Sequence, residues 1–269
     1  MSSLVHSGEP FSQQKTSQIL DELDREGFAS LPGILTPDEV ENLKVRYDRV
    51  FADPKSVETD NVYPNDWSGL RLFETDPMFV DMLVREPIIS LAEAICGDEC
   101  HLIADGAVRN YPGVAIADWH VDDDVFWPLP EGMSQHDPAI PFPVFQLTCQ
   151  ILLTDVPSVE YGPTEFVPGS HRAGCRPEKK GTPTFNGQGP VPIFGKAGDV
   201  YLQNGQTWHR GAPNTSDRTR CLYQISYGRR WVSQRFYPFL NYRMPDHVLE
   251  GADERLLRVL GKHPQGAYG

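Results

Sequence analysis

Apolar positions recur at helical spacing in the first third of the chain. Within residues 13–27, Ile19, Leu20 and Leu23 fall on one face and Gly27 follows them. Since residues three and four apart share a helix face, this stretch predicts an amphipathic helix that stops at the glycine.

Residues 28–35 predict a short strand or loop, and two more helical segments follow it. Thr36 and Glu39 form a capping box with a proline between them, which predicts a helix running to about Phe51. Residues 76–97 predict another helical stretch, interrupted at Pro87 and ended by a glycine.

From residue 100 onward the pattern changes to short extended runs separated by Gly- and Pro-rich loops. A fold that is mainly β with flanking helices is therefore predicted: a jelly-roll core of about eight short strands in two packed sheets, after a helical N-terminal third. The predicted strands fall within residues 101–111, 116–122, 142–156, 162–171, 195–208 and 221–231.

We expect one domain over residues 1–269. Its predicted parts are a flexible arm (1–12), a helical support (13–97), the jelly-roll core (100–232) and a C-terminal extension (233–269) with a short helix near 253–260. The aromatic content of the extension indicates that it either closes over a pocket or forms a subunit contact.

Composition narrows the class of protein. Lys and Arg number 24 against 37 Asp and Glu, a formal net charge of −13, which argues against nucleic-acid and anionic-membrane partners. No apolar run reaches the roughly 18 residues of a membrane span, and neither a secretory signal nor a peroxisomal address is visible. The five scattered cysteines include no CxxC pair, so free thiols and a cytoplasmic location are expected.

The candidate chemistry begins with His120 and Asp122, which share one side of a predicted strand because side chains alternate. His209 would come from a later strand across the barrel. Two histidines and one carboxylate with open positions opposite are the facial triad of non-haem Fe(II) oxygenases. Asp123 and Asp124 compete with Asp122 as the carboxylate ligand, with Asp122 preferred.

Other titratable groups near these residues have plainer interpretations. Asp118 either orients a ligand histidine or faces solvent, and Asp124 is a loop acid or a neighbour of the ligands. His171, in a Pro-Gly-Ser turn, is expected to be structural, and His101 and His136 show no partner pattern.

Arg220 lies 11 residues after His209, at the start of the next predicted strand. A guanidinium inside a barrel needs an anion, because an unpaired buried charge is costly, and a carboxylate suits its fork. The distal carboxylate of 2-oxoglutarate meets that need. Arg218 is the rival for this role.

Several segments together resemble the phytanoyl-CoA dioxygenase family of Fe(II)- and 2-oxoglutarate-dependent oxygenases. They are His120-Val121-Asp122, GPTEFVPGSH at 162–171, Ala197-Gly198-Asp199-Val200, His209 with its HRGAPN context, and Arg220. The resemblance covers roughly residues 18 to 230. It implies a double-stranded β-helix, iron held by the three triad residues, and 2-oxoglutarate on the arginine.

The resemblance also implies an activity: oxidation of an unactivated C–H bond with O2, most simply hydroxylation, giving succinate and CO2. Thr164 is implied as a second contact to 2-oxoglutarate, while Gly211 stands where the family often has a small polar residue. Related halogenases lack the carboxylate that Asp122 supplies, so halogenation is not expected.

The expected substrate is a small organic molecule, with a secondary metabolite or other apolar compound preferred over phytanoyl-CoA itself. The aromatic residues near the triad (Trp119, Phe126, Trp127 and Trp208) either line a pocket or belong to the core. The long loop 123–141 is predicted to form part of a substrate lid. The competing hypotheses are a non-catalytic jelly-roll binding protein with a relic metal site, and a Zn or Ni enzyme.

Overall fold

The computed structural model describes residues 8–53, 55–58, 68–115, 118–236 and 242–263. The helices are α1 Gln13–Glu26, α2 Pro37–Ala52, α3 Lys55–Glu58, α4 Pro77–Met82, α5 Ile88–Cys96, α6 Asp246–Leu249 and α7 Glu254–Val259. The strands are β1 Phe28–Leu31, β2 Ser68–Leu70, β3 His101–Asn110, β4 Gln146–Leu152, β5 Thr164–Phe166, β6 Val191–Pro192, β7 Val200–Asn204, β8 His209–Gly211 and β9 Arg220–Gly228. The fold is mainly β with added helices.

The first two helices begin and end where the sequence predicts. Gly27 ends α1 in the left-handed conformation at φ 83°, which suits a residue without a Cβ. At α2, the Thr36 hydroxyl accepts from the Glu39 backbone N–H and the Glu39 side chain accepts from the Thr36 N–H. Both bonds of the predicted capping box are therefore present, and the prediction is confirmed.

The predicted flexible arm over residues 1–12 is wrong in its last part. Residues 1–7 lie outside the described residues, but Phe11 packs against the main core and Ser12 caps α1 by accepting from the Lys15 N–H. A short apolar contact and a helix cap hold this end of the arm.

The strands form two antiparallel sheets. The larger has the order β1-β7-β4-β9-β3-β2, and the smaller has the order β6-β5-β8. The edge strands of the larger sheet are β1 and β2, and both come from residues 13–97. β1 lies in the predicted short strand or loop at residues 28–35, whereas β2 lies in a stretch where no strand is predicted. With only three residues, β2 is too short for a period-two pattern to reveal.

The two faces of the large sheet have different partners. On β7, Val200 and Leu202 join the main core together with residues of the helices, while Tyr201 belongs to a second cluster that contains Phe166 of the small sheet. Phe28 stacks on Phe166 with ring centroids 4.8 Å apart. Side-chain alternation thus gives the helices one face of the sheet and leaves the other facing β5 and β8.

The C-terminal extension completes the helical side of the core. Phe236 contacts Phe73 and Tyr242, and Val248 and Val259 are buried in the main cluster. Residues 237–241 and 264–269 lie outside the described residues. Helices long and apolar enough to cross a membrane are absent from the part of the chain that the structure describes.

Candidate metal centre

A cavity of about 290 Å³ lies between the two sheets. The large sheet contributes lining residues from β2, β3, β4 and β9, and the small sheet contributes them from β5 and β8. The residues that carry the sequence-based prediction all line it: His120, Asp122, Thr164, His209 and Arg220.

Three of them form a compact donor group. Asp122 Oδ1 lies 3.8 Å from His120 Nε2 and 3.7 Å from His209 Nε2. One ligand atom from each residue lies within 4.8 Å of the others. Because bonds from such ligands to a divalent metal are about 2.1 Å long, one ion fits between them.

Backbone carbonyls orient both imidazoles. His120 Nδ1 lies 2.8 Å from the Asp118 carbonyl oxygen, and His209 Nδ1 lies 2.9 Å from the Thr207 carbonyl oxygen. Each Nδ1 therefore carries the hydrogen, and each Nε2 presents its lone pair to the cavity. Burial lowers the pKa of His209 to about 4, so this ring is neutral at physiological pH.

Asp122 reaches the site from a loop. The predicted strand over 116–122 is wrong where the structure describes it, since His120 forms a single bridge with His209 and no longer strand surrounds it. The Asp122 N–H donates to the Gly205 carbonyl at 2.8 Å. A tertiary contact, in addition to strand alternation, therefore sets the position of the carboxylate.

The rival acids face elsewhere. Asp124 pairs with Arg176 at the surface, 2.5 Å between Oδ2 and Nη2, and Asp123 accepts from the Val125 N–H within its own turn. Asp118 is exposed. It orients His120 through its backbone carbonyl oxygen. Asp122 is thus the acid that the structure brings to the two imidazoles.

The other histidines contact protein groups. His171 is buried and its Nε2 donates to the Asp24 carbonyl at 3.0 Å. His101 contacts Val232 O, and His136 contacts Trp127 O. Their structural interpretation agrees with these contacts.

Arg220 is a buried cation facing the same cavity, 3% exposed. Its Nη1 donates to Thr164 Oγ1 at 3.1 Å, its Nε has no partner, and burial lowers its pKa. Among the described residues, no carboxylate lies within the 4.0 Å of an ion pair with its guanidinium. A buried guanidinium without an acid fits an anionic ligand such as 2-oxoglutarate.

Arg218 differs from Arg220 in every respect that matters for this role. It stacks over the Tyr161 ring at 4.7 Å and is exposed. On β5, Thr164 pairs directly with Gly211 on β8. The Thr164 hydroxyl therefore lies opposite the glycine that lacks the family's small polar side chain.

Five polar residues that line or adjoin this cavity were not predicted from the sequence: Gln150, Tyr201, Gln203, Gln224 and Arg235. The sequence did contain an indication of them. Thr148 and Gln150 are polar at alternate positions of one buried strand, and Tyr201 and Gln203 are polar at alternate positions of another. Polar side chains on one face of a buried strand indicate a polar interior surface.

The aromatic candidates belong elsewhere. Trp119 and Trp208 are buried in a small cluster of their own, and Trp127 packs on Phe145 with centroids 5.1 Å apart. None of the three tryptophans lines the cavity, and Phe126 does not line it either. The side chains of Trp119 and Trp208 are therefore core.

The loop 123–141 is likewise anchored away from the cavity. The Arg172 guanidinium donates to the carbonyls of Asp137 and Ile140, and the His136 N–H donates to the Arg172 carbonyl. No residue of the loop lines the cavity among those described. These contacts argue against the predicted lid.

The chain is similar in sequence to a known protein family and to curated relatives. The family profile described as Phytanoyl-CoA dioxygenase (PhyH) matches residues 23–221. An ectoine dioxygenase from Bordetella bronchiseptica is 25% identical over 176 residues, which cover 63% of this chain and 54% of the relative. The chain thus matches about half the length of that relative.

Two solved structures share the fold. HygX from Streptomyces hygroscopicus, solved with nickel and 2-oxoglutarate, superposes with a TM-score of 0.64 at 18% identity over 84% of this chain and 90% of HygX. SnoN, a non-haem α-ketoglutarate-dependent epimerase from nogalamycin biosynthesis, has a TM-score of 0.62 at 21% identity, over 81% and 85%. At these identities the likeness concerns the fold.

Proposed function

Because the chain belongs to the phytanoyl-CoA dioxygenase family, we propose that it is an Fe(II)- and 2-oxoglutarate-dependent oxygenase acting on a small organic molecule. One observation carries the proposal: the donor group of His120, Asp122 and His209 shares a cavity with Arg220, a buried cation without an acidic partner among the described residues. A metal ion would bind to the donor group, and a dicarboxylate would pair with Arg220.

The proposed architecture is a single domain with a double-stranded β-helix core. The six-stranded and three-stranded antiparallel sheets face each other across the cavity, and the helices cover the outer face of the larger sheet. This arrangement supports the jelly-roll interpretation, with ligands bound between the sheets.

In the proposed site, His120 Nε2, Asp122 Oδ1 and His209 Nε2 hold the iron. Arg220 binds the distal carboxylate of 2-oxoglutarate, and the Thr164 hydroxyl is a second contact. Bound iron with 2-oxoglutarate and O2 supplies oxidative decarboxylation to succinate and CO2, coupled to substrate oxidation. The protein holds the His209 imidazole neutral and keeps the Arg220 guanidinium out of water.

Hydroxylation is the proposed outcome. The Asp122 carboxylate occupies the position that halogenases leave open, which argues against halogenation. The similar proteins include a structure named an epimerase and a sequence relative named a dioxygenase. We therefore propose that the placement of the substrate decides which reaction the same metal ligands support.

The cavity lining contains polar side chains that an entirely apolar substrate, the kind preferred from sequence, would not match. Alongside Leu70 and Val108, it contains Thr148, Gln224, Ser226 and Arg235. These groups already have protein partners, such as Ser226 for Thr148 and Gln150 for Gln224. A substrate with polar groups can use the donors and acceptors that they retain, and an apolar substrate cannot. We propose a small molecule that carries hydroxyl, amide or charged groups beside apolar parts.

The decisive experiment is an anaerobic titration with Fe(II) and 2-oxoglutarate, followed through the visible charge-transfer band. We expect a band in the wild type, no band in His209→Ala, and succinate formation that a polar substrate accelerates. A folded wild-type protein that gives no band would contradict the proposal and favour a non-catalytic binding protein or a different metal.

A further inference from the structure

A row of buried polar side chains connects Arg220 with Asp122 along the wall of the cavity. Each intermediate member is at most 5% exposed, although each carries a hydroxyl or an amide. Polar groups buried this deeply need hydrogen-bond partners within the protein, and here they find them in one another. In order from the arginine, the members are Thr164, Tyr201, Gln150 and Gln203.

The half of the row nearest Arg220 has a defined direction. Arg220 Nη1 donates to Thr164 Oγ1 at 3.1 Å, and the Tyr201 hydroxyl donates to Gln150 Oε1 at 2.8 Å. Thr164 Oγ1 and the Tyr201 hydroxyl oxygen are 2.6 Å apart. Because the single Tyr201 hydrogen is used on the amide oxygen, the Thr164 hydroxyl donates to Tyr201.

The other half continues in the same direction. Gln150 Nε2 donates to Gln203 Oε1 at 2.6 Å, and Gln203 Nε2 donates to Asp122 Oδ2 at 3.1 Å. Gln224 Nε2 also donates to Gln150 Oε1 at 3.1 Å, so two donors fix the orientation of the Gln150 amide. A flipped Gln203 amide would place donor against donor. All five hydrogen bonds therefore point from the guanidinium to the carboxylate, the direction in which such bonds strengthen one another.

The row ends on a particular oxygen of Asp122. Gln203 Nε2 contacts Oδ2, while Oδ1 faces the two imidazole Nε2 atoms. The same amide nitrogen also lies 3.1 Å from His209 Nε2. The other ring nitrogen, Nδ1, lies 3.2 Å from the amide nitrogen and carries the hydrogen that it donates to Thr207. Once a metal uses the Nε2 lone pair, the bond to Asp122 is therefore the hydrogen bond that the amide retains.

Resting on the proposed function, we propose that Gln203 is a positioning residue for the metal ligand Asp122. It occupies Oδ2, so that a single oxygen, Oδ1, is presented to the metal. The chain of hydrogen bonds that starts at Arg220 fixes its amide. The metal ligand and the cosubstrate anchor are thus parts of one hydrogen-bonded unit.

The test is the Gln203→Leu variant of the full chain, titrated anaerobically with Co(II) in the absence of 2-oxoglutarate. We expect the Kd for Co(II) to rise about 10- to 100-fold, the range typical for removal of a group that orients a metal ligand. We also expect a changed visible d–d spectrum, because a carboxylate no longer held through Oδ2 coordinates the metal in a different geometry. Wild-type affinity and spectrum in a folded variant would overturn the proposal.

Two further variants separate positioning from general destabilisation. Gln234→Leu removes another buried glutamine, which donates to the Leu102 carbonyl outside the cavity, and should leave Co(II) binding unchanged. If Gln203→Leu does not fold, Tyr201→Phe decides the question. It should raise the Kd about threefold, since it weakens the row without touching Asp122. Unchanged binding in Tyr201→Phe would then overturn the proposal.

A matched control for that variant is Tyr227→Phe. Tyr227 is a fully buried tyrosine of the same sheet whose hydroxyl donates to the Leu83 carbonyl, and its loss should not alter Co(II) binding. The two proposals fail differently. A wild-type protein without an Fe(II)–2-oxoglutarate band contradicts the function, whereas a wild-type band with unaltered Co(II) binding in Gln203→Leu contradicts only the role of Gln203.

Discussion

Asp122 Oδ1 lies 3.7 Å from His209 Nε2, although the two residues belong to distant parts of the sequence. The Asp122 backbone is bonded to Gly205, in the turn that leads to His209. The loop that carries the acid and the strand that carries the histidine are therefore held together by the fold before any ligand arrives.

Replacement of Asp122 by Asn should abolish most metal binding, because a neutral amide oxygen is a much weaker ligand than a carboxylate. We expect the Kd for Co(II) to rise by at least about 100-fold, more than for loss of a group that only orients a ligand. Asp124→Asn is the control, since Asp124 pairs with Arg176 at the surface. Equal losses in both variants would contradict the assignment of Asp122.

Replacement of Arg220 by Lys should weaken 2-oxoglutarate binding without altering metal binding. The point charge remains but the two-pronged contact is lost, so we expect the Kd for 2-oxoglutarate to rise about 10- to 100-fold. The charge-transfer band measured against 2-oxoglutarate concentration reports this. Arg218→Lys, at an exposed position over Tyr161, should bind like the wild type. A stronger effect there than in Arg220→Lys would reverse the assignment.

Stability should depend on the buried ion pair of Glu39 and Arg85. Arg85 Nη2 lies 2.9 Å from Glu39 Oε1, and both side chains are at most 5% exposed. Glu39→Gln leaves the guanidinium without its carboxylate, and we expect a loss of about 3–5 kcal/mol in the free energy of unfolding. Thr36→Ala removes only the cap hydroxyl and should cost about 1 kcal/mol. Urea denaturation compares them, and equal losses would argue against the ion pair.

Acid should destabilise the protein partly through His171. Burial, with the neighbouring charge of Arg172, lowers the His171 pKa to about 4 in the folded state. The unfolded chain, with a pKa near 6.5, takes up the proton first as pH falls, so stability is lost between about pH 6.5 and pH 4. At pH 5 this amounts to about 2 kcal/mol.

The His171→Gln variant isolates this contribution, because an amide can still donate to the Asp24 carbonyl. Urea unfolding at pH 8, 6 and 5 should show a smaller acid loss in the variant than in the wild type. Parallel curves for the two proteins would mean that His171 does not carry the effect.

Local chemistry determined the features that the sequence predicted correctly. The capping box at Thr36 and Glu39, and the stop at Gly27, depend on contacts within a few residues, so their pattern is readable in one dimension. The selection of His120, Asp122, His209 and Arg220 also came from the sequence, through strand alternation and the family resemblance, and the structure brings all four to one cavity.

Long-range contacts decided the rest. The edge strand β2 exists through its pairing with β3, and the single bridge of His120 depends on His209. The loop predicted as a lid is instead held by Arg172. None of these partners is a neighbour in the sequence.

The difference between what the sequence determines and what the tertiary structure determines is clearest for Gln203. The sequence by itself determined which residue types lie on the strands and so which chemistry was available. The tertiary structure alone determined that Gln203 meets Asp122 at one end and Gln150 at the other. A hydrogen-bond direction depends on every partner in the chain, and those partners come from separate strands and a loop that only folding brings together.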